Sequence, residues 1–197
     1  MDKQAVINRT RDWITSIVIG LDLCPFAQRV FQADLIRYYV SDAEDETALW
    51  TDLAREVDGL ASSLISCVET TLLIHPGALQ DFLDYNDFVA AAEGLIKDLG
   101  LRGTIQIAGF HPQYQFAGTK ADAVENYTNR SPYPMLHLLR EQSISAVAAD
   151  PDALGEIPRR NIETLRRLDR RAERIQYNFT IAGTETMMLP SAAAVMK

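Results

Sequence analysis

Cysteine is scarce in this chain: Cys24 and Cys67 are the two thiols in 197 residues. They are too few for a disulfide framework and lack the paired spacing of a structural metal site. Long apolar runs are missing as well. No stretch approaches the roughly 18 residues that a membrane helix requires, and Met1-Asp2-Lys3-Gln4 opens neither a signal h-region nor an arginine-rich transit peptide. The glycines form neither a Walker loop nor a dinucleotide fingerprint, so no nucleotide cofactor is indicated and the cofactor stays unassigned. Positive charge is also short, with 19 Lys and Arg against 27 Asp and Glu and a formal net charge of −8. That balance argues against general nucleic-acid binding, which needs excess cation to neutralise phosphate. These absences lead to the expectation of a soluble, cytoplasmic protein with no membrane segment and with reduced thiols.

Apolar residues make up 47% of the chain, enough for one full core and, at this length, too little chain for two domains of ordinary size. Residues 1–197 are therefore read as a single α/β domain, with 177–197 as a docked or mobile tail. Trp13, Ile14, Ile17, Val18 and Leu21 form an apolar stripe that predicts a helix over residues 10–21. A strand is predicted over 35–40, followed by the spacing Ser41-Asp-Ala-Glu44 of a capping box and a helix carrying Leu49, Leu53, Val57, Leu60 and Leu64. After a second strand come a short helical stretch over 79–83 and a helix starting at Asn86, whose face Phe88, Val89, Ala92, Leu95, Ile96 and Leu99 ends at Gly100. A third strand covers 104–108. Alternation of strand and helix predicts a small, mainly parallel sheet with crossover helices, flanked by N-terminal and C-terminal helices. Residues 144–147 fit either a short fourth strand or a helix.

Two of the three histidines share one local setting. Each begins a His-Pro pair after a β-type run, TTLLIHP at 70–76 and TIQIAGFHP at 104–112, which would bring His75 and His111 to the carboxyl edge where open α/β sheets place ligands. A histidine there suits general acid–base work, although His-Pro can also simply end a strand. Between Pro112 and Pro132 lies a long, weakly periodic loop containing Tyr114, Phe116 and Tyr127; such loops are commonly functional or disordered. It leads to Ser131 and Pro132, which suit the start of a helix over 135–139 that would carry His137. Arg130 beside that helix N-terminus forms a candidate site for a small anionic ligand, with Asn126, Asn129, Ser131, Tyr114 and Tyr133 as further binding residues. The competing reading pairs Arg130 with an internal carboxylate.

Cys24 precedes Pro25 and would cap a restarted helix, where the helix dipole favours a thiolate suited to nucleophilic chemistry; a buried structural cysteine fits the same residues. Cys67 is expected in the core. Seven of the nineteen basic residues fall between Arg159 and Arg174, on a helix whose other face carries Ile162, Leu165, Leu168, Ala172 and Ile175. A solvated basic face, partly neutralised by Glu163, Asp169 and Glu173, explains it; an acidic partner, RNA or a homo-oligomer contact are the alternatives.

The strings WIT at 13–15, LCPFA at 23–27, LIHP at 73–76, GFHPQYQF at 109–116, NRSPYP at 129–134 and LHLLRE at 136–141 resemble the bacterial domain-of-unknown-function family 1415. The resemblance spans about residues 5–168. It implies a bacterial cytosolic single-domain protein and assigns no catalytic residue. Three functions remain open on the residues. One is a small-molecule enzyme acting on an anionic substrate through His75, His111, Cys24 and Arg130. Another is a binding or assembly protein using Tyr114, Phe116, Tyr127, Tyr133 and the arginine-rich helix. The third is a metal-dependent enzyme with histidine ligands, although the spacings match no standard metal motif.

Overall fold

The computed structural model describes residues 1–147, 151–172, 179–180 and 186–187. The chain begins with α1 (Lys3–Trp13), a π-helical segment (Ile14–Ile19), α2 (Ala27–Gln32) and β1 (Ile36–Val40). It continues through α3 (Glu46–Ser62), β2 (Thr70–Ile74), α4 (Phe82–Asp98) and β3 (Ile105–Phe110). A 3-10 turn (Val124–Thr128), β4 (Met135–Arg140), α5 (Glu141–Val147) and α6 (Pro151–Ala172) follow, with the two-residue strands β5 (Phe179–Thr180) and β6 (Thr186–Met187) paired antiparallel beyond them.

The main sheet has the order β1-β2-β4-β3. β1 and β2 are parallel neighbours, and the crossover between them contains α3, as parallel pairing demands. β4 runs antiparallel to both β2 and β3. The sheet is thus mixed, not mainly parallel, because residues 135–139 form a central strand where a helix is expected. MLHLLR is a short run dominated by apolar residues, and a strand covered on both faces has that same pattern. Residues 144–147 belong to helix α5.

Each face of the sheet carries its own core. Leu73, Leu136, Leu138 and Ile105 pack with Leu49, Leu53, Val57 and Leu60 of α3 and with Tyr85, Phe88, Ala92 and Ile96 of α4. Leu72, Ile74 and Met135 alternate to the opposite face and meet Val6, Trp13, Ile14 and Ile17 of the N-terminal layer. Several helix starts differ from expectation, and in each an aspartate is the cap: Asp2 accepts from the Gln4 and Ala5 amides, Asp45 from Ala48, and Asp81 from Leu83 and Asp84. The first helix consequently begins at Lys3 rather than near residue 10, α3 begins after Asp45 rather than at the Ser41 box, and α4 needs no second start at Asn86.

α6 docks on the body through its apolar and polar faces together. Leu165 is fully buried, Asn161 Nδ2 donates to Leu23 O at 2.7 Å, Arg160 donates to Asp22 O at 2.9 Å, and Arg166 pairs with Glu125 at 3.0 Å. Arg159 pairs with Glu156. The basic stretch is thus partly committed to docking, and its partners here are Glu156, Asp22 and Glu125. Arg174, Glu173 and most of the 177–197 tail lie outside the described residues. Cys67 is exposed in the turn before β2, not in the core. Among the described residues, no helix is long and apolar enough to cross a membrane.

Candidate functional site

β1, β2 and β3 point the same way, because β4 opposes both β2 and β3. His75 and His111 accordingly emerge at one end of the sheet, with β4 between their strands. Both are buried, at 0% and 1% exposure, and both pack against Tyr85, with ring centroids 5.8 Å and 5.0 Å away. Tyr85 donates to Met135 O at 2.8 Å. Gly109 makes room for it, since a Cβ there would lie 2.7 Å from the Tyr85 hydroxyl.

The hydrogen bonds fix the tautomers of both rings. His75 Nδ1 lies 3.0 Å from Ala78 O, so that nitrogen carries the proton. His111 Nε2 donates to Leu79 O at 3.2 Å, while its Nδ1 accepts from the Gln113 amide at 3.0 Å. The two rings clamp the loop between β2 and α4, in which Leu79 holds the left-handed conformation at φ 54°. Burial lowers both imidazoles to about 4. They are neutral braces, and the nitrogen left without a partner is His75 Nε2, which is sealed from solvent.

The long loop is packed by its own side chains. His111 N donates to Asn129 O at 3.2 Å and so brings the loop's two ends together. Asn126, fully buried, accepts from the Phe116 amide and the Thr119 hydroxyl and donates to Lys120 O at 2.7 Å. Arg130 donates to Tyr114 O at 3.2 Å and Ala121 O at 2.6 Å, and its guanidinium lies 4.4 Å over the Tyr127 ring. Asn129 donates to Gly109 O, and Ser131, 1% exposed, donates to Tyr133 O at 2.7 Å. Tyr114 packs its ring on Phe82 and Phe116, and Tyr133 packs on the N-terminal layer. The helix N-terminus expected beside Arg130 does not form, because residues 135–140 are β4.

Cys24 lies on the opposite face of the sheet from His75 and His111. It precedes α2, whose N-cap is Phe26, and the amides of Phe26 and Ala27 reach its sulfur, yet burial outweighs them and pushes the thiol up. The thiolate expected of an N-cap cysteine is therefore disfavoured.

Cys24 lines a cavity of about 80 Å³ between the N-terminal layer and the sheet. Its walls include Trp13, Ile14 and Val18 from α1 and the π-helical segment, Leu72 from β2, His137 and Leu139 from β4, and Ser143 and Ile144 from α5. His137 sits mid-sheet, in register with Leu72 on one side and Ala108 on the other. Thr70 Oγ1 donates to Leu138 O and so accepts from His137 Nε2 at 2.7 Å. This leaves His137 Nδ1 as a lone pair without a partner among the described residues. Desolvation lowers the ring to about 4. Among the described residues, Trp13 Nε1 and Ser143 Oγ are buried without a hydrogen-bond partner. Buried polar atoms are paired as a rule, and here two unpaired ones, together with the open nitrogen of half-buried His137, belong to residues lining one apolar cavity.

The charged groups at the cavity are already engaged. Glu69 pairs with Arg29 through both carboxylate oxygens, and the Arg140 guanidinium donates to Leu60 O, Ser63 O and Val68 O. Neither His137 nor Trp13 stands among the candidate site residues that the sequence offers. The available signal was a histidine inside the run MLHLLR, a polar group whose neighbours demand burial. Among the described residues, no group of three His, Cys, Asp or Glu side chains is disposed to hold a metal ion.

The site thus defines an α/β protein with an apolar cavity bearing sparse polar groups. The chain belongs to the DUF1415 family, described as proteins of unknown function, whose model matches residues 5–174. No curated protein and no solved structure matches it.

Proposed function

We propose that this protein binds a small molecule in the cavity between the N-terminal layer and the sheet. The observation that carries the reading is the cavity itself: apolar walls with unpaired polar atoms on Trp13, Ser143 and His137. Ligand sites are typically concave and apolar with a few polar groups to orient the ligand. The π-helical turn on one wall fits this reading, since such turns recur at functional sites.

A second reading is catalysis in the same cavity, favoured by the presence of Cys24 and His137 in its wall. His137 Nδ1 is the base available to a bound donor, and Cys24 is a protonated thiol that would need such a base before it could attack. This replaces a single His75, His111, Cys24 and Arg130 pocket, whose members lie on different faces or are spent on carbonyl oxygens.

A thermal-shift screen of small neutral and anionic molecules against the native protein and Leu139→Trp tests the binding reading. The new indole would fill the cavity at a half-buried wall position. Hits should raise the native melting temperature by mass action and lose that effect in the variant. Hits that shift both proteins equally would overturn the proposal.

A further inference from the structure

We infer that the cavity selects an uncharged ligand: a compact apolar body whose polar head offers both a hydrogen-bond acceptor and a donor, as a primary amide or a protonated carboxyl does. This rests on reading the cavity as the binding site. The unpaired groups specify the head. Trp13 Nε1 is a donor and requires an acceptor. His137 Nδ1 is a lone pair and requires a donor, because Nε2 has given its hydrogen to Thr70. Ser143 Oγ serves as either.

The charges surrounding the cavity exclude an ionic head. One cation and one anion line it, Arg140 and Glu69. Arg140 is 6% exposed and donates to three backbone carbonyls. Glu69 is 3% exposed and is held by Arg29. A carboxylate ligand would meet an Arg140 whose Nε and Nη2 donors are given to carbonyl oxygens, and would face both the His137 lone pair and the Glu69 carboxylate. An ammonium would find no uncommitted anion. Either would lose hydration without the pairing that offsets it. Protonating His137 to receive an anion would weaken binding by roughly 10³-fold at about pH 7, given an imidazole near 4. The volume, about 80 Å³, is about half that of a dry cavity of about 150 Å³ that accommodates benzene, so an aromatic ring is enclosed only in part.

Three matched probes test this: benzamide, toluene and benzoate. Trp50→Phe leaves Trp13 as the single tryptophan, so its fluorescence reports the cavity, and each probe is titrated near neutral pH. Benzamide is expected to bind at least tenfold more tightly than toluene and to leave benzoate without a measurable response. His137→Phe should erase the advantage of benzamide over toluene; His137→Gln, which keeps an acceptor, should retain part of it. Benzoate binding as tightly as benzamide would overturn the neutral-ligand inference while leaving the cavity reading intact. Equal binding of benzamide and toluene would refute the role of the polar atoms. Binding of none of the three up to the solubility limit would overturn both readings together.

Discussion

Mild acid should unfold this protein through its histidines. Burial holds His75, His111 and His137 in the neutral form, each lowered to about 4, whereas a histidine in the unfolded chain titrates near 6.5. The folded values lie below the unfolded one. Between about pH 6.5 and about pH 4 the unfolded state therefore binds more protons, and stability declines as pH falls through that window; above it the stabilisation is complete. At about pH 5.5 an unfolded histidine is roughly nine-tenths protonated and a folded one almost not at all. Linkage then gives a loss of about 1.4 kcal/mol per ring and roughly 4 kcal/mol for three. Such a loss is large beside the 5–15 kcal/mol that typically separates native from unfolded states. Urea unfolding followed by far-ultraviolet circular dichroism at about pH 7.5 and about pH 5.5 measures it. The midpoint should fall sharply with little change in slope, and the pH dependence should report uptake of nearly three protons on unfolding. A midpoint that stays constant, or uptake of one proton or fewer, would refute the assignment of these rings as neutral buried groups.

Three further outcomes follow from the packing. Arg140→Met removes the donors to Leu60 O and Ser63 O at the end of α3 and to Val68 O before β2 and should cost about 3 kcal/mol in urea unfolding; a change within about 0.5 kcal/mol would contradict that capping role. Asn126→Asp sets a carboxylate against Lys120 O, where Nδ2 now donates, and should make native protein susceptible to trypsin at Lys120 with a loss of about 2–3 kcal/mol; unchanged proteolysis would oppose it. Brief alkylation should label exposed Cys67 well before Cys24, whose thiol burial pushes up. Faster labelling of Cys24 would restore it as an activated nucleophile.

Much of the architecture is written locally. The apolar stripe from Leu49 to Leu60 and the run from Thr70 to Ile74 carry their periods plainly, so β1, α3, β2, α4 and β3 follow from sequence, and so does the shared edge of His75 and His111. The run from Met135 to Leu139 does not, because four apolar residues out of five, covered on both sides, read alike as strand or buried helix. That single ambiguity changed the site. Taken as a helix, the segment supplies an anion-binding N-terminus for Arg130; as the central strand β4, it brings His137 to the middle of the sheet opposite Trp13. The His-Pro repeat corresponds to the clamp on the loop containing Leu79, and strand ends host both catalysis and turns. The cavity was illegible because its walls come from α1, the π-helical segment, α2, β1 to β4 and α5, and the unpaired state of Trp13 and Ser143 is a property of packing, with no local sequence signature.

A crystal of the native protein soaked with benzamide addresses the cavity most directly. The ring is predicted to lie between Trp13, Leu72 and Leu139, with the amide within hydrogen-bond distance of Trp13 Nε1 and His137 Nδ1. Benzamide found instead at the His75–His111 loop, or a cavity filled by ordered water with no benzamide in it, would contradict the assignment.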